Sequence, residues 1–169
     1  IAVLSKYLFR IGNANIFNPA ALGLVATFYM VDTEQNWWGA LPEITPYAMT
    51  LVFATGIFIS QRTNKLPAVV GFITVYYLLF TITAFVGDPA RVAELYRSPD
   101  LHAALYFAFF MVTDPPTSPP KPVDQWIFGA ITAVVSFATF QLFGVLYFLL
   151  AGVLVANLWE GWRRWRLKA

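Results

Sequence analysis

Apolar residues run along this chain in blocks too long and too continuous for a half-buried surface element. Leu66 to Gly87 is the clearest, 22 residues without a charge. The hydrocarbon core of a bilayer takes roughly 20 apolar residues in a straight helix, so this block predicts a membrane-spanning helix. Tyr47 to Ser60 predicts a second, beginning near Glu43 and ending at Gln61. Trp126 to Phe140 and Gly144 to Trp159 predict a close pair, joined by a turn around Gln141, Leu142 and Phe143. Two further blocks, Phe17 to Val31 and Leu101 to Thr113, are too short to cross straight. Each is broken by proline at its polar end. Pro19 suits the first turn of a helix, where its missing N–H costs nothing, and Asn18 before it suits the N-cap. Pro115 and Pro116 must stop the other helix. Ile1 to Phe9 reads as the tail of an earlier helix. The chain opens at Ile1 inside an apolar run, so an incomplete or processed N-terminus is expected.

The pattern therefore predicts an all-α integral membrane protein, one transmembrane domain over residues 1–169. It would be a polytopic bundle of about six transmembrane crossings, including two short broken half-helices that meet near mid-membrane. Orientation follows from Lys and Arg in short loops. Arg62 and Lys65 precede Leu66, and Arg163, Arg164, Arg166 and Lys168 follow the last apolar block, so both segments read as cytoplasmic. Residues 160–169 form a short basic cytoplasmic tail on this reading. Asp32 to Thr45 holds Asp32, Glu34 and Glu43 and no base, so it reads as exoplasmic. Threading the blocks in order puts Asp114 to Asp124 at the cytoplasmic boundary. Trp37, Trp38, Trp126, Trp159, Trp162 and Trp165 all fall at expected interfaces, as aromatic belts do. The location implied is the inner, cytoplasmic membrane, with the C-terminus in the cytoplasm.

Composition sharpens this. Apolar residues make up 59% of the chain and charged residues 12%, against roughly 25% charged in soluble domains. Mean hydropathy is +0.62, which excludes intrinsic disorder. The formal charge of +2 is too small for a partner whose affinity rests on phosphate neutralisation, so nucleic acid is excluded. With no cysteine, disulfides, thiolate metal sites and cysteine nucleophiles are excluded as well. The single histidine, His102, leaves no pair for axial ligation of a haem.

Few residues remain that could carry chemistry. Phe17-Asn18-Pro19-Ala20 reads first as a helix start. It reads second as the N-terminus of a broken helix offering N–H groups and a positive dipole end to a ligand. Thr113-Asp114-Pro115-Pro116-Thr117-Ser118-Pro119-Pro120-Lys121-Pro122 reads as a stiff loop between helices. Asp114, an acid at the end of an apolar helix, is costly unless partnered or wet. Thr117 and Ser118 in its own loop are the expected hydrogen-bond donors to it, and Lys121 is the nearest basic residue in sequence. Thr113 is expected to cap the helix end or meet the Asn18-Pro19 helix start. His102 and the Trp159–Lys168 stretch read as interface anchors, and Asn157 as an interhelical hydrogen-bonding residue. No nucleophile–base pair, phosphate loop or metal-ligand cluster appears, so catalytic and metal residues are predicted to be none. Redox chemistry would need a bound organic cofactor.

At these two motifs the sequence resembles the membrane-flavoprotein family that contains the D subunit of Rnf and the B subunit of sodium-translocating NADH:quinone reductase. The matching stretches are Ile1–Phe9 with Asn15–Val25, Phe107–Pro119, and Trp126–Phe137 with Phe143–Leu158. The resemblance implies electron transfer coupled to Na⁺ or H⁺ movement, a flavin cofactor, and a place among other membrane subunits in the lipid bilayer. It implies two related halves, of which an N-terminal portion is absent from this chain. Carried over to this sequence, the cofactor-binding candidates are Asn18, Pro19, Thr113, Asp114, Thr117 and Ser118. Two departures bear on the flavin. Asp32 to Thr45 is shorter than the family's exoplasmic loop and lacks its Ser-x-Ala-Thr signature. Where a second Ser-Gly-Ala-Thr stretch is usual, this chain has Leu101, His102, Ala103 and Ala104. No covalent flavin is therefore expected, and at most a non-covalent one, FMN or riboflavin. The leading expectation is a membrane subunit of an electron-transport complex. The alternative is a non-catalytic structural subunit that kept the fold and packs beside a larger respiratory or photosynthetic membrane complex. A transporter using the two broken helices comes third.

Overall fold

The computed structural model describes residues 1–12, 14–31, 46–87, 89, 90, 93 and 98–167. Among them the chain forms seven α-helices and one small hairpin. Helix α1 (Ala2–Leu8) leads into strands β1 (Arg10–Ile11) and β2 (Ala14–Asn15), which pair antiparallel with Arg10 opposite Asn15. Then come α2 (Pro19–Val31), α3 (Pro46–Arg62), α4 (Leu66–Val86) and α5 (Ser98–Tyr106). The helix α5 runs on as a single π-helical turn over Phe107–Met111, and α6 (Pro122–Phe143) and α7 (Phe148–Arg166) complete the fold. The expected segments Asp32–Thr45, with Trp37 and Trp38, and most of 88–97 lie outside the described residues.

Two helices, α4 and α6, are long and apolar enough to cross a membrane, at 21 and 22 residues. Each has an apolar outward face. Val70, Leu78, Ile82 and Phe85 on α4, and Val123, Ile127, Val134 and Leu142 on α6, are exposed. The helices run parallel, with Gly129 of α6 against Ala68 and Phe72 near one end, and Phe137 and Phe140 against Phe80 further along. Helix α7 returns antiparallel on α6, with Gly152 against Thr132 and Ser136 and Phe148 against Phe140. Phe72, Tyr76 and Phe80 recur every four residues, so they line one face of α4. They form a file of ring contacts at 5.2 and 4.6 Å, extended by Phe107 at one side and Phe137 and Phe140 at the other.

The short helices are as short as expected. Helix α2 has 13 residues, and Leu101–Met111 is likewise a short apolar helix. Two boundaries differ from the expectation. Gln141, Leu142 and Phe143 are helical, and the turn between α6 and α7 begins at Gly144, whose φ of 61° ends the helix in the left-handed region. Glycine adopts that conformation without a Cβ clash. Leu142 and Phe143 are apolar and give no stop signal, so the glycine decides. The basic tail is not a separate segment either. Residues 160–166 are the last turns of α7, because good helix formers such as Arg continue it.

A Cβ on Gly129 would lie 2.7 Å from the backbone nitrogen of Phe72 and still closer to the carbonyl of Ala68. Gly129→Ala should therefore force α4 and α6 apart and cost about 1–3 kcal/mol. The expected result is a lower thermal midpoint in detergent, with Val134→Ala on the outer face of the same helix nearly neutral.

Candidate functional site

The polar residues singled out from the sequence gather at one end of the bundle, around the loop from Asp114 to Lys121. Four prolines, Pro115, Pro116, Pro119 and Pro120, leave this segment short of N–H groups. Its carbonyls must therefore find donors elsewhere. Arg164 Nη1 donates to Pro116 O at 2.7 Å, and Asn157 Nδ2 donates to Thr117 O at 3.3 Å. Ser118 O accepts from Lys65 Nζ at 3.2 Å and from Arg164 Nη2 at 3.0 Å. Lys65 Nζ also donates to Pro119 O at 2.7 Å. Gln125 Nε2 serves Pro120 O at 3.2 Å and Asn64 O at 2.8 Å, and Gln125 N serves Lys121 O. Every carbonyl from Pro116 to Lys121 is satisfied by Lys65, just before α4, or by α6 or α7.

Local sequence explains how these donors arrive. Helix α3 ends with Asn64 at φ 54° and a bond from Lys65 N to Ser60 O, a left-handed cap that Asn tolerates. This turn swings the Lys65 side chain inward, where the residue is 5% exposed. Asn18 caps α2 as expected, its Oδ1 accepting from Ala20 N and Ala21 N at 3.0 and 3.1 Å. Its own N–H donates to Asn157 Oδ1 at 2.8 Å. Asn157 is fully buried, and it joins the start of α2 to the proline loop.

Asp114 is only partly as expected. Thr117 Oγ1 donates to its Oδ2 at 2.7 Å. Ser118 does not reach the carboxylate: its hydroxyl and N–H both go to the Asp114 main-chain carbonyl, at 2.8 and 3.0 Å. The tight turn puts that carbonyl, rather than the side chain, under residue 118. The charges that act on the carboxylate are those of Lys6 and Lys65, not that of Lys121. Burial raises the Asp114 pKa above its ordinary value, against the pull of Thr117, Lys6 and Lys65. Burial likewise lowers Lys65, to about 8, helped by the nearby Arg164. Thr113 caps the helix end by donating to Phe109 O, beside the π-helical turn closed by Val112 N to Phe107 O.

Four residues of this cluster escaped sequence reasoning: Lys65, Gln125, Glu160 and Arg164. Glu160 is 1% exposed and holds both arginines of its own helix. Arg163 bonds it at 2.7 and 3.1 Å, and Arg164 at 2.6 Å. Arg163 also pairs with Asp124 at 2.8 Å. The Glu160, Arg163, Arg164 spacing of three and four residues is a legible helix ion-pair pattern. For Lys65 and Gln125 no local signal exists.

The hydroxyl candidates Thr113, Thr117 and Ser118 already donate within the chain and do not fit as donors to a flavin. Asn18, Thr113, Thr117 and Ser118 are buried, and each of their side chains is bonded to the chain itself. The groove that opens beside them is lined by other residues, among them Lys121, Arg163 and Arg164. His102 stands apart, its ring 6.5 Å from Phe53 and its Nδ1 buried without a hydrogen-bond partner. Among the described residues no group of three His, Asp or Glu is placed to hold a metal ion. No protein-family model matches the chain, and no curated protein matches it.

Removing Asn157 would leave Asn18 N and Thr117 O buried without partners. Asn157→Ala should cost about 1–3 kcal/mol, seen as a lower thermal midpoint and folded yield. Lys65 gives a pH signature. Unfolded, it keeps its proton up to 10.5, and folded only to about 8. Between those values the unfolded chain binds the extra proton, so stability rises with pH. The thermal midpoint of the natural chain, relative to Lys65→Met, should climb from pH 8 to 10.5; a falling difference would contradict the assignment.

Proposed function

We propose that the chain is a membrane-embedded subunit of an electron-transport complex of the Rnf D-subunit and quinone-reductase B-subunit kind. In this subunit the two motifs hold the fold together rather than a flavin. The observation that carries this reading is the saturation of the motif residues. A Thr117 or Ser118 that donated its hydroxyl to a ligand would have to give up a bond made within the chain, leaving a buried group unpaired at about 1–3 kcal/mol each. The subunit's role is then to pack beside the redox subunits of a larger respiratory or photosynthetic complex. Its surface supports that setting. The outward faces of α4 and α6 are apolar along their length, and such a surface is matched by lipid or by other membrane helices.

The proposed topology has about six crossings or half-crossings. The end that gathers Lys65, Arg163 and Arg164 lies at the cytoplasmic side of the inner membrane, following the excess of Lys and Arg there. Starts of α2, α4 and α6 share this end with the end of α7. The second reading, a non-covalent FMN or riboflavin, rests on the retained half-helices α2 and α5.

The test is flavin content in protein purified from washed membranes. The chain should stay with the membrane after alkaline extraction and carry no stoichiometric flavin absorbance. Flavin released into the supernatant on acid precipitation would favour the second reading. A fluorescent band at the chain's mass on a denaturing gel would overturn both. Cysteine placed at Asn64 and labelled by an impermeant reagent in intact cells would overturn the orientation.

A further inference from the structure

The polar end carries a groove of about 530 Å³, whose lining combines apolar Ile11, Ala14 and Leu167 with charged Lys121, Glu160, Arg163 and Arg164. We infer that this groove seats the phosphate of an anionic phospholipid from the surrounding leaflet, with its glycerol end against the apolar lining. The inference rests on the membrane reading above.

Three features of the groove point to a phosphate. Glu160 also lines the groove, but it is only 1% exposed and its carboxylate is paired with both guanidinium groups, so the open charge there is mainly cationic. That carboxylate and Asp124 fix the orientation of Arg163, and Glu160 with the carbonyls of Pro116 and Ser118 fixes Arg164. Each guanidinium has five N–H donors in a rigid fork. The bonds named use Nε and one hydrogen on each Nη, so both arginines keep donors for a further acceptor. Because these side chains are already ordered, binding loses little of their rotamer freedom. Lys121 is exposed and makes no ion pair among the described residues. Taking Lys121, Arg163 and Arg164 against Glu160 and Asp124, three positive charges meet two negative ones, and Arg166 adds another on the same helix end.

Two features point to a lipid as the source of that phosphate. The lining includes apolar Ile11, Ala14 and Leu167, which a free anion does not use. The same helix end presents Trp162 and Trp165, 48% and 59% exposed, with Arg166 stacked 4.0 Å from the Trp162 ring. Tryptophan and arginine together mark headgroup depth, and basic pockets between helices at that depth suit anionic headgroups.

The experiment follows the thermal midpoint of the full chain in neutral detergent while phosphatidylglycerol, phosphatidylcholine or inorganic phosphate is added. Phosphatidylglycerol should raise the midpoint saturably, and the other two should not. Lys121→Glu should weaken the phosphatidylglycerol response about tenfold or more, and Lys121→Ala about fivefold. Arg62→Glu, an exposed charge outside the groove, should leave the response unchanged. Equal responses to the two lipids, or an unchanged response in both Lys121 variants, would overturn the site. A rise produced by phosphate alone would replace the lipid with a soluble anion and overturn the lipid assignment. A chain that stays dispersed without detergent would sink the membrane reading itself, an outcome separate from any of these.

Discussion

A loop rich in proline has carbonyls to satisfy and almost no N–H groups to satisfy them with. That imbalance organises the polar end of this protein. Gln125 comes from α6, Asn157 and Arg164 from α7, and Lys65 from the turn before α4, and all four donate to main-chain oxygens between Pro116 and Pro120. A buried carbonyl left unpaired costs as much as a lost hydrogen bond or more, so the loop and the helix ends hold each other in place. Asn157 carries the connection one step further, to the start of α2 through Asn18 N.

Placing so many cations at one end raises a second constraint, repulsion among them. Burial lowers the Lys65 pKa to about 8, and the nearby Arg164 adds to the shift. Glu160 relieves the repulsion by taking one face of Arg163 and Arg164, while Asp124 takes another edge of Arg163. A buried carboxylate is tolerable only when paired and hydrogen-bonded, and here three short bonds meet that condition.

Away from this end the helices associate through shape. Close backbone approach and interdigitated rings carry the packing there. Gly129 against Ala68 and Gly152 against Thr132 permit that approach, and the Phe72, Tyr76, Phe80 file fills the seam. The π-helical turn at Phe107–Met111 belongs to the same scheme. Phe109 sits where Gly56 leaves room, with an added Cβ there falling 2.7 Å from its ring.

The chain's pattern of apolar blocks, prolines and caps was enough to read the helices, the short lengths of α2 and the Leu101–Met111 helix, and the capping roles of Asn18 and Thr113. Those features depend on residues a few positions apart. The ion-pair spacing from Glu160 to Arg164 was legible in the same way, though unread. What the sequence could not reveal is which donors serve the proline loop. Lys65 lies more than fifty residues from its partners and Arg164 more than forty, and only the packing of α4, α6 and α7 brings them together. Tertiary structure also decided that Ser118 turns to the Asp114 carbonyl and that Lys6 and Lys65, not Lys121, act on its carboxylate. Local spacing sets what a side chain can reach, but where several long polar groups compete for few acceptors, the geometry of the assembled helix ends selects the pairs.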